Sequence, residues 1–277
     1  MLTQSLTRAL FAAVLSLCLG ISNCWSGNFI IVQSTTSTQN SGLFDHLLPT
    51  FKEKTGIEVR VVAVGTGQAI KNAANGDGDV LFVHAKDDEE AFVASGQGVS
   101  RADVMYNDFV IVGPHTDPAG VSGMTDAVAA LTKISMSGER FASRGDDSGT
   151  HKAELRFWEE AEVDAQAASG SWYIETGTGM GATLNTGTGM GAYILTDRAT
   201  WIAFGNKGNH KIVVEGDPRM FNQYGIILVS DQKHPNVKSE SGQQFINWIL
   251  SADGQNAIAE FRVNGQQLFF PNAVQTN

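Results

Sequence analysis

Three segments of the sequence place hydroxyl groups and glycines directly after apolar runs. Ser34 to Thr38 are all Ser or Thr, Gly65-Thr66-Gly67 follows a valine-rich stretch, and Arg144-Gly-Asp-Asp-Ser-Gly-Thr150 follows Phe141-Ala-Ser143. Hydroxyls and backbone N–H groups donate hydrogen bonds, glycine lets the backbone approach a ligand, and one arginine adds fixed charge. These residue types favour binding of a small oxyanion. A single segment would be weak evidence, because Ser and Thr are also ordinary helix N-caps.

The remaining motifs give little support for catalysis. The six histidines are scattered, with no HxH or HxxxH pair to suggest a metal site. Cysteine is absent from Trp25 onward, and the G-x-S-x-G motif of serine hydrolases is absent too. Residues 176–181 do not match the G-x-G-x-x-G spacing of dinucleotide sites cleanly. We therefore expect a binding protein that is not an enzyme and has no metal or cofactor, with an exported hydrolase as the alternative.

Strands and helices alternate along the chain, which predicts an α/β fold. Apolar runs predict strands at 29–33, 59–64, 79–85, 108–114, 141–143, 172–175, 193–195, 211–215 and 224–230. Helical spacing of apolar residues predicts helices at 41–54, 68–75, 87–97, 121–136, 151–168 and 241–261. In an open α/β sheet, ligands bind beyond the carboxyl ends of the strands. Since the hydroxyl-rich segments all follow predicted strands, we expect them to form one site.

The composition limits the kinds of partner. The chain has 277 residues, of which 42% are hydrophobic and 17% charged, as in a globular protein of two ordinary domains or one large one. Its 19 Lys and Arg against 29 Asp and Glu give a net charge of −10. That charge argues against nucleic acid as a partner and against attraction to anionic lipid. It is compatible with a small anion held in a local pocket of N–H groups.

Residues 1–26 have the pattern of a secretory signal peptide. One basic residue, Arg8, precedes the apolar stretch 9–21, which is too short to span a membrane. Cleavage is predicted near Ser26. A lipid anchor on Cys24 is less favoured, because the residues before it fit a lipoprotein motif poorly. We therefore expect the mature protein to be exported to the periplasm.

Residues 176–182 and 186–192 carry the same sequence, TGTGMGA. A repeat of seven residues is too short to be the unit of a solenoid fold. We interpret it as local duplication or coincidence, and expect at most one copy to have a functional role.

The order of these segments resembles the periplasmic tungstate-binding proteins of ABC transporters. The matching segments cover nearly the whole mature chain: TTSTQNSGL (35–43), VGTGQA (64–69), VMYNDFVIVGP (104–114), SRGDDSGTHK (143–152), WYIETG (172–177), GMGA, LTDR (195–198) and EGDP followed by FNQYG (215–225). Arg144 with Ser148-Gly149-Thr150 is also similar to phosphate-binding proteins of the same superfold. The second TGTGMGA copy departs from the family pattern, which lacks a repeated Gly-rich loop.

The resemblance implies a two-lobed, type II periplasmic-binding-protein-like fold with the ligand in the cleft between the lobes. It implies that the chain captures tungstate, or molybdate, for the permease of an ABC transporter. A different tetrahedral oxyanion, such as phosphate, is the alternative ligand. We expect no nucleic-acid partner and a monomer. The expected ligand-binding residues are Thr36, Ser37, Thr66, Arg144, Ser148, Gly149 and Thr150, with Arg198 as a second cation.

The apolar segments 108–114 and 224–230 are predicted to cross between the lobes, because both flank the middle of the chain. Lobe one would then comprise residues 28–112 plus 224–277, and lobe two residues 113–223. The discontinuity of lobe one comes from the resemblance and not from hydrophobic periodicity.

Overall fold

The structure, a computed structural model, describes residues 28–274. The predicted signal peptide and its cleavage site lie outside this range. The strands are β1 Phe29–Thr35, β2 Glu58–Val64, β3 Val80–Val83, β4 Gly98–Pro114, β5 Phe141–Ser143, β6 Tyr173–Glu175, β7 Ile194–Asp197, β8 His210–Val214, β9 Phe221–Val229, β10 Arg262–Val263, β11 Gln266–Gln267 and β12 Phe270–Pro271.

Helices follow most of the strands. They are α1 Thr36–Asn40, α2 Leu43–Thr55, α3 Thr66–Ala74, α4 Lys86–Ala94, α5 Ala127–Ser137, α6 Gly149–Glu160, α7 Met180–Met190, α8 Arg198–Ala203, α9 Ser239–Leu250 and α10 Ala252–Glu260. Within residues 28–274, none of these helices is both long enough and apolar enough to cross a membrane.

The two ends of the described chain build one sheet. Its strands lie in the order β2-β1-β3-β9-β4-β12. β1 pairs in parallel with β2 and with β3, whereas β9 runs antiparallel to β3 and β4. Helices α2 and α9 pack on this sheet through buried residues such as Phe51 and Phe245, whose rings lie 5.1 Å apart. The carboxyl ends of β1, β2 and β3 therefore share one edge, and the segments that follow them meet there.

β4 is a 17-residue strand shared by two apolar cores. Its first part pairs with β9 as far as Asp108, which lies opposite Phe221. Residues 109–114 pair instead with β7 and β8, and Phe109 and Ile111 belong to a second core around Trp158. The chain thus forms two lobes that share one continuous strand.

These pairings differ in detail from the predicted crossings. On β4 the change of partner falls at Asp108, so that 109–114 already belongs with the second core. The second predicted crossing, 224–230, lies largely within β9 and pairs inside the first sheet. The second passage between the cores is therefore the segment between β8 and β9. The lobe boundaries themselves stay a prediction.

Several elements begin or end elsewhere than predicted, for local reasons. The predicted helix 241–261 is two helices, because the Ser251 side chain accepts the N–H of Gly254 and starts α10. The helix predicted from 121 begins only after Asp126, which caps α5. β4 starts ten residues before the predicted strand, because its polar first half forms backbone hydrogen bonds with the distant strand β9.

Candidate anion-binding site

Lobe one contributes two short turns that follow parallel strands. β1 ends at Thr35, whose hydroxyl accepts the N–H of Thr38 and starts α1. β2 ends at Val64, and Gly65 leads directly into α3, with Thr66 as its first residue. Thr66 is buried. The first N–H groups of a helix have no partner within the helix, so both turns present hydrogen-bond donors at the same sheet edge.

Lobe two contributes the turn between β5 and α6. Gly145 and Asp147 both have positive φ, at 58° and 57°, which folds the turn tightly. Ser148 is the N-cap of α6, and its hydroxyl accepts the N–H of His151. Gly149 and Thr150 form the first turn of that helix and are buried. Arg144, directly after β5, is buried too.

The turns of the two lobes touch each other. The N–H of Gly149 donates to the hydroxyl of Thr66 over 2.9 Å. A Cβ added at Gly149 would lie 3.1 Å from that hydroxyl and 3.2 Å from the carbonyl oxygen of His84. Thr200 of lobe two donates to the carbonyl oxygen of Ser37 over 3.4 Å. The lobes are therefore closed on each other at this point.

Arg144 supplies the fixed positive charge of the site. Its Nη2 donates to the carboxylate of Asp146 over 2.5 Å. Its Nε is buried and has no hydrogen-bond partner within residues 28–274. A buried donor of this kind is costly unless something accepts its hydrogen bond.

Buried polar atoms of residues around the contact between the lobes also lack partners among the described residues. Residues from both lobes and from the strands that join them contribute one such atom each. They are Thr36 Oγ1, Asn107 Nδ2, Arg144 Nε, Thr150 Oγ1, Asp197 Oδ2 and Tyr224 Oη. Five of these atoms can donate a hydrogen bond, and only the Asp197 oxygen is a carboxylate acceptor. The cluster can satisfy an oxyanion with several oxygens.

A chain of hydrogen bonds runs behind the lobe-one turn. Asn222 donates its amide to Asn107 over 2.7 Å, so its oxygen faces His84 Nδ1 at 3.1 Å. His84 Nδ1 is then the donor, and His84 Nε2 accepts from Ser37, 3.1 Å away, or from Thr35, 3.3 Å away. Burial lowers the pKa of His84 to about 4, and the charge of Arg144 lowers it as well. The ring is therefore neutral near pH 7.

The structure brings most of the predicted site residues together. Thr66 and Gly149 are joined by a hydrogen bond. Thr36 lies beside Gly179 of lobe two, because a Cβ added at Gly179 would be 3.4 Å from the Thr36 hydroxyl. The hydroxyl of Ser37 already has His84 and Thr35 as partners. The role of Ser37 as a ligand donor therefore stays a prediction.

Arg198 lies in a different environment from the other predicted residues. Its guanidinium makes two hydrogen bonds to Asp108, of 2.7 and 2.6 Å, and an ion pair with Glu215 of 2.7 Å. Both acids lie at the passages between the lobes. These contacts favour a structural role at the junction, and they do not support the predicted role of Arg198 as a second cation for the ligand.

The structure adds residues that sequence reasoning did not assign to the site. Asn107, Asp197 and Tyr224 contribute buried unpartnered atoms, and Asn222 belongs to the hydrogen-bond chain behind the lobe-one turn. The signal for them was present in the segments VMYND, LTDR and FNQYG, which place polar residues next to strand ends. No spacing rule distinguishes these polar residues from ordinary caps.

The two TGTGMGA copies lie in one element with different roles. In the first copy, Gly179 is the N-cap of α7 and faces Thr36 across the cleft. The second copy forms the last turn of the same helix, where Gly191 is the C-cap with φ of 70°. There Gly187 is in close contact with Ile194, since an added Cβ would lie 2.5 Å from it. Only the first copy lies near the site.

Comparison with known proteins gives one consistent result. The chain matches the family model described as a PBP superfamily domain over residues 23–253. The tungstate-binding protein TupA of Peptoclostridium acidaminophilum is 46% identical over 250 residues, 89% of this chain and 86% of that protein. TupA of Campylobacter jejuni is 35% identical over 241 residues, 86% of this chain and 88% of that protein.

Two solved structures agree with these relatives. The tungstate-binding protein TupA from Desulfovibrio alaskensis has a TM-score of 0.76 and 46% identity, covering 89% of this chain and all of that one. The structure described as the tungstate ABC transporter from Geobacter sulfurreducens has a TM-score of 0.77 and 46% identity, over 84% and 98% of the two chains. The predicted type II periplasmic-binding-protein-like fold and the resemblance are both confirmed. The chain therefore belongs to the PBP superfamily and, within it, to the family of the TupA tungstate-binding proteins.

Proposed function

We propose that this protein is a solute-binding protein that captures tungstate in the cleft between its lobes and delivers it to an ABC importer. The observation that carries the proposal is the set of buried unpartnered donors, Arg144 Nε among them, that both lobes contribute around their contact. The names of relatives 46% and 35% identical to the chain support tungstate as the ligand.

The chemistry of the cluster fits a fully ionised dianion. Arg144 provides one fixed positive charge, and the helix N-termini that begin at Thr66 and Gly149 add partial positive charge. Hydroxyl donors from Thr36 and Thr150 complete the set. Charge-assisted hydrogen bonds of this kind contribute roughly 1.5–3 kcal/mol each. A buried anion with several such partners is stable without a resident metal ion.

The expected order of affinity follows from charge and size. Tungstate and molybdate are dianions of nearly equal size and need donors only, so both should bind tightly, with tungstate at least equal to molybdate. Sulfate has the same charge but is smaller, so donors spaced for tungstate would be too far away, and hydrogen bonds weaken steeply with poor geometry. Phosphate carries a proton near neutral pH and needs an acceptor.

One observation favours phosphate as a second candidate. Asp197 places a buried carboxylate oxygen without a partner near the donors, and an ionised carboxylate can accept the proton of hydrogen phosphate. Phosphate-binding proteins share the superfold. Tungstate remains the proposed ligand, because the five other unpartnered atoms are donors and the relatives at 46% identity are named for tungstate.

Two measurements test the proposal. Elemental mass spectrometry of the natively purified protein should find tungsten or molybdenum at close to one atom per chain. Competition calorimetry should then rank tungstate at or above molybdate, and both far above sulfate and phosphate. Phosphate that binds as tightly as tungstate would move the protein to the phosphate-binding relatives. Hydrolysis of a bound ester instead of binding of an unchanged anion would favour an exported enzyme.

The setting of the protein is part of the proposal. The known relatives are binding proteins and not enzymes, which supports a role without catalysis. We infer that residues 1–26 are removed on export, that the mature chain works in the periplasm, and that it meets the permease as a monomer. Size-exclusion chromatography with light scattering and N-terminal sequencing of the exported protein test these points.

A further inference from the structure

Within residues 28–274, Asp197 Oδ2 is the one carboxylate oxygen among the buried atoms that lack a hydrogen-bond partner. Asp197 is 1% exposed and ends β7. Its Oδ1 accepts the N–H of Thr200 over 2.8 Å and so caps α8, whereas its Oδ2 has no partner among residues 28–274. Thr200 reaches the carbonyl oxygen of Ser37 in lobe one, which places this cap at the contact between the lobes.

Among residues 28–274, few charged groups are able to neutralise Asp197. Arg144, in the turn after β5, lowers its pKa, but the Nη2 of that guanidinium already pairs with Asp146. On its own element, Arg198 pairs with Asp108 and Glu215 instead.

From the strand β9, Tyr224 presents a buried hydroxyl, and burial together with the charge of Asp197 raises the pKa of Tyr224 well above its usual value. The nearby His84 ring is neutral near pH 7. Burial is the main influence on Asp197 itself and raises the pKa of its carboxyl group.

An ionised Asp197 would be unfavourable beside a dianion. Two like charges at close range in a buried site are strongly unfavourable. Among residues 28–274, the cation that acts on Asp197 is Arg144, which also pairs with Asp146, so its one positive charge cannot balance both Asp197 and a dianion. A protonated carboxyl group has the opposite character, because its O–H donates a hydrogen bond to the ligand. The same atom then changes from the carboxylate acceptor of the set into a further donor.

We propose that Asp197 carries a proton when the oxyanion is bound and donates it as a hydrogen bond to a ligand oxygen, so that binding takes up one proton from solution. This inference rests on the proposed function and names Asp197 as a residue that determines specificity. It predicts a preference for fully ionised anions, because a protonated anion would find a donor where it needs an acceptor.

The test is calorimetry with tungstate between about pH 7 and 9.5, in pairs of buffers that differ in ionisation enthalpy. The difference between two buffers gives the number of protons taken up. For the unaltered protein we expect uptake to rise with pH towards one proton, and affinity to fall by up to about tenfold per pH unit where the free carboxylate is ionised.

Asp197→Asn is the informative variant. Asparagine caps helices as well as aspartate does, so α8 should be retained, and its amide offers a permanent donor in place of Oδ2. We expect this variant to bind tungstate without proton uptake and, near pH 9, at least about tenfold more tightly than the unaltered protein. Asp126→Asn is the matched control, because Asp126 also caps a helix of lobe two but is exposed and pairs with Arg219.

The outcomes separate this inference from the proposed function. Tungstate binding with no proton uptake at any pH overturns the role of Asp197 and leaves the function intact. Uptake that persists in Asp197→Asn assigns the proton to another group and also overturns it. If Asp197→Asn fails to fold, the proton count of the unaltered protein still decides. Absence of tungstate binding by the unaltered protein would refute the function, and this inference with it.

Discussion

Replacing Gly149 with alanine should oppose closure of the lobes while leaving each lobe intact. Gly149 opens α6 and does not have a positive φ, so alanine is compatible with its backbone. The added Cβ would lie 3.1 Å from the hydroxyl of Thr66, 3.2 Å from the carbonyl oxygen of His84 and 3.3 Å from its ring. All three atoms belong to lobe one. The contact therefore exists only when the lobes are closed.

The neighbours have little room to move away from the new methyl group. His84 is held by Asn222 on one side and Ser37 on the other, and its ring lies 4.8 Å from that of Tyr224. Crowding a well-packed contact costs typically about 1–3 kcal/mol. Since about 1.4 kcal/mol is tenfold in affinity, we expect Gly149→Ala to weaken tungstate binding by roughly 5- to 150-fold.

The stability of the unliganded protein should change in the opposite direction. Alanine is the better helix former and restricts the unfolded chain, so the Tm without ligand should be unchanged or slightly higher. Calorimetry measures the affinity, and thermal unfolding with and without tungstate measures the Tm. Gly189→Ala is the matched control, because Gly189 lies in α7 with no atom within 4 Å of an added Cβ. It should raise the Tm slightly without changing affinity.

A Gly149→Ala protein that binds tungstate with unchanged affinity would refute the reasoning, because the bound lobes would then not meet at Thr66 and His84. A clear fall in the Tm of the unliganded variant would refute it in another way, by showing that the methyl group disturbs lobe two itself.

Three more perturbations have defined outcomes. Arg144→Ala should lower tungstate affinity at least about 100-fold by calorimetry, because the anion loses its cation, whereas the exposed Arg140→Ala should not; near-native affinity would remove Arg144 from the site. Lys152 of lobe two forms an ion pair with Asp88 of lobe one over 2.7 Å. Lys152→Met should therefore weaken tungstate binding about two- to fivefold at low salt and less at high salt. An effect that does not depend on salt would show that this ion pair does not stabilise the closed lobes. Nitrogen NMR should find His84 neutral, with its proton on Nδ1, down to about pH 5, because burial lowers its pKa to about 4. The folded protein therefore loses stability as pH falls from about 6.5 towards 4, where the unfolded chain binds a proton that the folded one excludes; a ring that titrates near its ordinary pKa would contradict this.

The fold class could be predicted because strand and helix periods alternate in the sequence. The first half of β4 could not, since it contains Arg101 and Asp103 and lacks an apolar run. Tertiary contacts make it a strand: it pairs with β9, and Arg101 forms a 2.6 Å ion pair with the buried Glu89. Pairing between distant segments outweighs local propensity at such positions.

The site was predictable where one segment carries several donors in succession. In the segment from Arg144 to Thr150, a glycine and an N-cap residue mark a helix N-terminus, so the donors of the candidate site lie within a few residues of one another in the sequence. Asp197 is different, because a cap next to a strand end looks the same whether or not its second oxygen is buried. For Arg198, the sequence suggested a role at the site that its contacts in the folded chain do not support. A lone arginine in a loop suggests a cation for an anion, but Asp108 and Glu215 approach it only in the folded chain.

The position of β9 in the first sheet has a consequence for the order of assembly. β9 lies between β3 and β4, yet it follows all of the second core along the chain. Until residues 221–229 are in place, β1 to β3 and the first half of β4 are separated by a gap one strand wide. The second core needs only residues 109–220, one continuous stretch of the chain, whereas the first core needs segments from both sides of that stretch, and contacts between distant segments form more slowly. Lobe two should therefore fold first and lobe one last, and pulse-labelled hydrogen exchange should find the amides of β7 and β8 protected before those of β1 and β3.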